Sequence, residues 1–226
     1  MGGVWAKHRL YPGLKSNNLL GTYEYADFPL DKTKYGVEEG RALPADVVHR
    51  YLTDYAKEFG VYERIRFDTK VESAEHNDAG GWLITVSRRP DNQKSQIFAS
   101  KLIAATGLTS DPFIPIIEGS ETFEALLFHS KDFKDHAKTV DTAKNVCVLG
   151  GTKSAWDVVY AYASKGVHVN WIIRESGHGP TWMGTNIGSP ILHSPFSNSV
   201  CLLLFINFRH YPPQLVLLLS FQNNPD

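Results

Sequence analysis

The residues most able to do chemistry follow a short apolar run past the middle of the chain. Residues 146–149 (Val-Cys-Val-Leu) have the β-branched character of a strand, and a helical pattern begins a few residues later. The first turn of a helix leaves backbone N–H groups unpaired, and strand–turn–helix units use them to bind the pyrophosphate of a dinucleotide. The pattern therefore predicts a dinucleotide site, and its residues are Gly150, Gly151, Thr152, Lys153 and Ser154.

This turn matches the G-x-G-x-x-G/A pattern imperfectly. Gly150 takes the first position and Ala155 the third, but Thr152 stands where the second glycine is expected. A side chain there obstructs the approach of the backbone to a pyrophosphate. A tight strand-to-helix turn with no ligand is therefore the alternative interpretation.

The residue after the second predicted strand bears on the type of dinucleotide. The predicted strand 167–173 is followed by Arg174. This residue comes about twenty positions after the turn, where the fingerprint places a ribose-binding side chain. An arginine at this place can hold the 2′-phosphate of NADP. The neighbouring Glu175 could instead serve the free hydroxyl of NAD, so both dinucleotides stay open on these residues alone.

The rest of the chain has recognisable elements around this unit. The sequence predicts an amphipathic helix that starts at Leu43-Pro44-Ala45-Asp46 and ends at Gly60, while residues 1–43 have few periodic runs. No regular pattern continues beyond about Gly184. Three strands are predicted after the helix, separated by turn-rich segments: Ile65 to Ala74, Trp82 to Ser87, and Ile97 to Ala105, the last with a buried-looking Leu102-Ile103-Ala104-Ala105.

Composition excludes several classes of function. The 226 residues are 42% hydrophobic and carry a formal charge of −1, so we expect a soluble globular protein without a nucleic-acid partner. The only cysteines, Cys147 and Cys201, form no C-x-x-C pair, and a dithiol centre is not expected. No apolar run reaches the ~20 residues of a membrane span. We predict a cytoplasmic protein with no metal site, and membrane-surface association stays open.

Several further motifs occur in the order found in one enzyme family. They are Gly2-Gly3-Val4-Trp5, Tyr11, Ser16-Asn17, Tyr25-Ala26-Asp27-Phe28-Pro29, Ala105-Thr106-Gly107 and the stretch from Phe123 to Phe133, in which Ala125 replaces a glycine. Over roughly residues 2 to 183 the chain resembles the flavin-containing monooxygenases, relatives of the Baeyer–Villiger monooxygenases.

The resemblance implies an α/β fold with two dinucleotide-binding, Rossmann-like domains, one for FAD and one for NADPH, and an antiparallel β-meander. It also implies that NADPH reduces the flavin, which then reacts with O₂ to a flavin C4a-hydroperoxide that oxygenates a small organic substrate. The Phe133 that closes the fingerprint, in place of a Trp-Pro pair, favours oxygenation at nitrogen or sulfur. Baeyer–Villiger oxidation of a ketone is the alternative.

The resemblance also assigns roles to single residues. Asn17 matches the asparagine near the reactive edge of the flavin, although a simple turn asparagine is the competing interpretation. His129 is either a hinge residue between the domains or a structural histidine. Further flavin contacts are predicted at Gly2, Gly3 and Trp5, and at Thr106 and Gly107 where the chain crosses between domains; Trp5 as a core aromatic and a plain turn at Gly107 are the alternatives.

The same comparison predicts the division of the chain. Residues 1–144 correspond to part of a flavin domain whose first βαβ unit lies before the G-G-x-W motif, residues 145–184 to part of an NADPH domain, and residues 185–226 to an atypical tail that matches nothing in the family. We therefore expect a fragment of a larger monooxygenase. Two other functions compete: a pyridine nucleotide–disulfide reductase, which the missing C-x-x-C disfavours, and a non-catalytic NADP-binding remnant.

Overall fold

A computed structural model of the chain describes residues 2–78, 80–107, 112, 114–174, 202–206 and 217–221. For Arg174 and for the last two ranges it describes the backbone alone. The prediction for Glu175 and most of the predicted tail lie outside these residues. Within them, no helix is long and apolar enough to cross a membrane.

A five-stranded sheet carries the predicted glycine turn. Strand β7 (Asn145–Leu149) runs into helix α4 (Lys153–Ala163), and the chain returns as β8 (His168–Arg174) parallel to β7. The predicted βαβ unit is therefore observed. The sheet also contains β6 (Leu127–His129), β9 (Leu202–Ile206) and β10 (Leu217–Phe221), in the order β6-β10-β7-β8-β9, with β10 antiparallel to both neighbours.

One apolar core holds this βαβ unit together. The side chains of β7 and β8 meet one face of α4, where apolar residues recur at helical spacing. Tyr162 and Phe133 fill the centre and are fully buried. The core also includes Phe128, Val140, Val146, Val148, Ala155, Val158, Val159, Val169, Trp171 and Ile173.

The amino-terminal region folds around a second core. Helix α2 (Ala45–Glu58) begins where the sequence predicts it and buries Val47, Val48 and Tyr51. The preceding residues, expected to be irregular, contain a small antiparallel sheet of β1 (Lys15–Leu19) and β2 (Ala42–Pro44), the short helix α1 (Lys32–Tyr35), and 3₁₀ turns. Leu20, Leu30, Tyr35 and Leu43 complete this core.

The predicted meander is confirmed as an antiparallel three-stranded sheet. It consists of β3 (Thr69–His76), β4 (Trp82–Arg88) and β5 (Gln93–Ala99). A short helix α3 (Thr139–Thr142) precedes the βαβ unit. The architecture is therefore a mixed α/β fold with antiparallel sheets.

Two further predictions about elements are wrong. Residues 102–105 form no strand and are exposed, with Ile103 at 88% exposure. The reason lies in the register: β4 begins at Trp82, which pairs with Ala99, so no residue of β4 lies opposite the chain beyond Ala99. The tail, expected to lack regular elements, supplies β9 and β10, and unbroken apolar runs of this kind are typical of strands inside a sheet.

Candidate functional site

The glycine turn is fixed to the neighbouring strand from both sides. Gly150 has φ 135°, a conformation that side chains with a Cβ rarely adopt. Its N–H donates to the carbonyl of Ile172 at 2.9 Å, and its carbonyl accepts from the indole Nε1–H of Trp171 at 2.6 Å. The backbone of the turn is therefore held in one position relative to β8.

The first turn of α4 receives no hydrogen bond from the side chain of its N-cap residue. Thr152 is the N-cap residue, with extended backbone angles and no side-chain capping hydrogen bond. Its carbonyl accepts the N–H groups of Ala155 and Trp156 at 2.9 and 3.2 Å. Because the cap side chain does not bond to the first turn, the backbone N–H groups of Lys153 and Ser154, which precede these two, are suited to bind an anion.

Lys153 and Ser154 are occupied by contacts that the sequence analysis did not predict. The ammonium of Lys153 pairs with Oδ2 of Asp157 one turn further along α4, and it also donates to the carbonyl of Lys15 on β1 at 2.8 Å. The hydroxyl of Tyr11 donates to the same Oδ2 at 2.6 Å, and Ser154 hydrogen-bonds to Tyr11. We call Tyr11, Lys153, Ser154 and Asp157 the α4 network.

The α4 network is mostly withdrawn from solvent. The side chains of Lys153 and Asp157 are 22% and 15% exposed. Burial raises the pKa of Asp157, and Lys153 and Tyr11 oppose that rise. Burial and then the charge of Asp157 raise the pKa of Tyr11 far above its usual value, so the phenol stays protonated as a donor.

Sequence reasoning missed Asp157 and the contact role of Tyr11. A Lys–Asp pair four residues apart on a helix is a recognisable signal, and it could have identified Lys153–Asp157. The Tyr11 contact spans 146 positions, and no local pattern announces it. Tyr11 also packs against Phe133 with ring centroids 5.7 Å apart, so the phenol lies between the core and the helix.

Two tryptophans flank the turn. Trp156 on α4 and Trp171 on β8 meet edge to face, with ring centroids 4.5 Å apart. Trp171 is nearly buried and uses its indole N–H on Gly150. These rings place an intrinsic fluorophore directly beside the predicted dinucleotide turn.

Asn17 lies on β1, the strand that Lys153 contacts. Its side chain is exposed, whereas the preceding Ser16 is buried and bonds to the carbonyl of Asn18 and the N–H of Leu43 at 2.6 and 2.8 Å. The alternation of the strand therefore directs Ser16 inward and Asn17 outward. The carbonyl that accepts from Lys153 belongs to Lys15, two residues before Asn17.

The predicted flavin contacts are in two different environments. Gly2 caps a 3₁₀ turn at φ 115°, and Trp5 packs on Tyr23 at the edge of the second core, which supports the core-aromatic interpretation of Trp5. Thr106 and Gly107 are exposed in an irregular segment after β5. Among the described residues, neither group forms a strand–turn–helix unit, so these residues by themselves do not fit an FAD pyrophosphate.

His129 lines a separate cavity of about 520 Å³. Its Nδ1 accepts the N–H of Lys131 at 3.1 Å, and burial lowers its pKa. Its Nε2 is buried and has no hydrogen-bond partner among the described residues. Phe128 and His136 stack beside it, with ring centroids 4.2 Å apart.

The position of Arg174 agrees with its predicted place in the unit. It is the last residue of β8, and its backbone pairs in register with Ile206 of β9. Together with Gly150 to Ser154, it frames the carboxyl edge of the β7–α4–β8 unit, where parallel sheets bind dinucleotides.

Comparison with known proteins now identifies the family. The pyridine nucleotide-disulphide oxidoreductase family matches residues 28–187. The FAD-dependent monooxygenase rstn6 of Aspergillus nomiae is 37% identical over 91% of this chain and 36% of its own length. That match reaches into the residues after Gly184, because 91% of 226 residues is more than 184.

The chain is also similar to a bacterial monooxygenase and to a solved structure. The trimethylamine monooxygenase of a Pelagibacter species is 29% identical over 76% of this chain and 38% of its own length. The crystal structure of Tmm from Pelagibacter superposes with a TM-score of 0.65 at 26% identity, over 78% of this chain and 40% of that one. The chain thus spans little more than a third of the length of these curated relatives. It belongs to the pyridine nucleotide-disulphide oxidoreductase family, and the relatives to which it is similar are flavin-dependent monooxygenases.

Proposed function

We propose that this chain carries the nicotinamide-nucleotide site of a monooxygenase that uses FAD, NADPH and O₂ to oxygenate a small organic substrate at nitrogen or sulfur. The observation that carries the proposal is the turn at Gly150: a parallel strand enters it, an eleven-residue helix leaves it, and its backbone is pinned by Trp171. A preorganised turn of this kind supports binding of a pyrophosphate.

The residues present fit a nicotinamide dinucleotide. The backbone N–H groups at the start of α4 would bind the pyrophosphate, and Gly150 and Gly151 would allow its approach. Thr152 and Ser154 would border it with hydroxyl groups, and Arg174 would meet the 2′-phosphate that distinguishes NADPH from NADH. When bound, NADPH supplies a hydride.

The flavin part of the proposal rests on the relatives. The rstn6 protein is named as FAD-dependent, and the chain matches it over most of its residues. The predicted contacts Gly2, Gly3, Trp5, Thr106 and Gly107 stay proposals, as does a role for Asn17 beside the reacting atoms. We derive no step through the flavin, since the described residues do not assemble a site for its pyrophosphate.

The proposed substrate class is supported by the name of one relative. A relative named for trimethylamine supports oxygenation at a nitrogen atom, in line with the fingerprint ending at Phe133. Baeyer–Villiger oxidation of a ketone is the competing reaction of the same class. The two products differ in chemistry, because an amine gives an N-oxide and a cyclic ketone gives a lactone.

A non-catalytic NADP-binding module is a second candidate. The observation that favours it is that the predicted flavin contacts at Gly2 to Trp5 and at Thr106 and Gly107 form no strand–turn–helix unit among the described residues. A module of this kind would bind NADPH through the α4 turn and hold no flavin.

One assay separates these candidates. The purified chain is supplied with FAD, NADPH and O₂ and with either trimethylamine or a cyclic ketone, and products are identified by mass spectrometry. N-oxide formation that depends on NADPH supports the proposed reaction, and a lactone supports Baeyer–Villiger oxidation. NADPH binding with neither flavin retention nor product would support the module and contradict the monooxygenase.

A further inference from the structure

The α4 network joins two parts of the molecule that lie far apart in sequence. Tyr11 precedes β1, and Lys15 belongs to it, whereas Lys153, Ser154 and Asp157 lie on the first turns of α4. The bridging contacts are the Tyr11–Asp157 hydrogen bond of 2.6 Å and the Lys153–Lys15 hydrogen bond of 2.8 Å. Both contacts are made at the end of α4 that faces the glycine turn.

The charge of Lys153 is already balanced inside the protein. Its ammonium pairs with Asp157 on the same helix, and both side chains are largely shielded from solvent. A buried ion pair that loses one member leaves an uncompensated charge, so the pair resists separation. Lys153 is therefore poorly placed to offer a free positive charge to a phosphate.

Asp157 accepts hydrogen bonds from two side chains, and a third side chain bonds to one of these donors. Tyr11 and Lys153 both donate to Oδ2, and Ser154 bonds to Tyr11. Tyr11 is in turn held by its ring contact with the buried Phe133. The start of α4 is thereby anchored to the segment that leads into β1 and Asn17.

We propose that Tyr11, Lys153 and Asp157 are positioning residues that lock the nucleotide-binding end of α4 to β1, and that Lys153 is not a phosphate ligand. This inference rests on the proposed nicotinamide site. By holding the turn at one distance from β1, the lock fixes the position of the nucleotide-binding end of α4 relative to that strand. Loss of the lock should weaken NADPH binding even though none of the three side chains touches the nucleotide.

The direction in which one substitution changes the affinity for NADPH separates this role from a phosphate-binding role. In Asp157→Asn the carboxylate charge is lost and Lys153 loses its counter-ion. If Lys153 binds phosphate, the freed ammonium should strengthen NADPH binding. If the network positions the turn, binding should weaken by about five- to tenfold, as expected for the loss of one hydrogen bond.

The experiment is an NADPH titration of the purified full chain. Binding is followed by the quenching of tryptophan fluorescence, to which Trp156 and Trp171 beside the turn contribute together with the three other tryptophans of the chain. Tyr11→Phe, Asp157→Asn and the double variant form a cycle, and we expect the two single effects to be strongly non-additive. Lys153→Met should weaken binding and Lys153→Arg should restore it. The matched controls are Tyr160→Phe on the exposed side of α4 and Asp141→Asn in the exposed pair with Lys165, and both should bind like the wild type.

The outcomes separate the positioning role from the nicotinamide site on which it rests. Stronger binding in Asp157→Asn, or wild-type affinity in Tyr11→Phe, would overturn the positioning role while leaving the nicotinamide site intact. Absence of NADPH binding in the wild-type chain would overturn the nicotinamide site and this inference together. Tyr11→Phe removes a single oxygen atom, and its melting temperature is measured beside the titration. Weaker binding at a wild-type melting temperature shows that the positioning contact is lost, whereas a large drop in melting temperature shows that the fold is damaged.

Discussion

In the βαβ unit, the strand before the turn is buried and the glycine at its end is held by hydrogen bonds from both sides. The following helix is hydrogen-bonded to Tyr11 and to the carbonyl of Lys15. In the segments predicted to contact a flavin, Thr106 and Gly107 are exposed, and Gly2 to Trp5 pack on the core formed with α2. The first region contains its site within one continuous stretch, Val146 to Arg174. The second has its candidate residues on separate segments about a hundred positions apart.

This difference shows how the two kinds of site depend on the chain. A pyrophosphate site made of one strand, one turn and one helix needs only local sequence and a core to support it. A site assembled from several segments needs each of them in place. The nicotinamide site is accordingly the part of the molecule that the described residues support most directly.

The largest effect is expected from removing a core side chain beneath α4. Tyr162→Ala removes a fully buried ring between α4 and Phe133 and should lower the free energy of unfolding by about 3–5 kcal/mol. Urea denaturation measures this. Tyr160→Ala, two residues earlier and 55% exposed, should change the free energy by less than about 0.5 kcal/mol, and equal effects would show that the βαβ unit lacks the core described.

A smaller effect is expected at the turn itself. Gly150→Ala places a Cβ on a backbone at φ 135°, and relief of that strain should distort the turn and weaken NADPH binding about tenfold. Isothermal titration calorimetry gives the dissociation constant. Gly166→Ala, beyond the other end of α4, is the control: it also places a Cβ at a positive φ, 79°, and should keep wild-type affinity.

Removal of the indole donor should have a more modest consequence. Trp171→Phe keeps an aromatic ring but loses the bond to the Gly150 carbonyl, and NADPH binding should weaken about two- to fivefold. Trp82→Phe on the meander removes an indole from the other region and should leave the dissociation constant unchanged. A similar loss in both variants would mean that the turn is not specifically held by Trp171.

The smallest change is expected at Cys147. Burial in β7 raises the pKa of this thiol to about 11, so the protonated, unreactive form persists below that pH. At pH 8, peptide-resolved mass spectrometry should find Cys147 unmodified by iodoacetamide in the native chain and fully modified in urea. Rapid labelling under native conditions would contradict the burial of this strand.

Much of the nucleotide region was predictable because its signals are local. The apolar run at Val146, the glycine turn and the helical spacing after it specify β7, α4 and β8 without reference to distant residues. The start of α2 and the strands of the meander were predictable for the same reason. The prediction of a strand at Leu102 was wrong because an apolar run reports burial only if another strand lies beside it, and β4 has no residue left to pair there.

The network around Asp157 could not be predicted in full. The Lys153–Asp157 pair follows from helical spacing, but the contribution of Tyr11 depends on where the amino-terminal segment lies in three dimensions. The same limit applies to Lys15, because the contact uses its backbone carbonyl, a group that every residue has. The place of Lys153 in the motif predicts a contact with the cofactor, and the motif alone does not show that Lys153 pairs with Asp157.

The most direct test of the account is a side-by-side titration of the purified chain with NADPH and with FAD, each in the absence of the other. We predict saturable binding of NADPH at one site per chain, with quenching of the tryptophans beside the turn, and weaker binding of FAD. Retention of FAD by a chain that does not bind NADPH would contradict the claim that the nicotinamide site is the more completely assembled of the two.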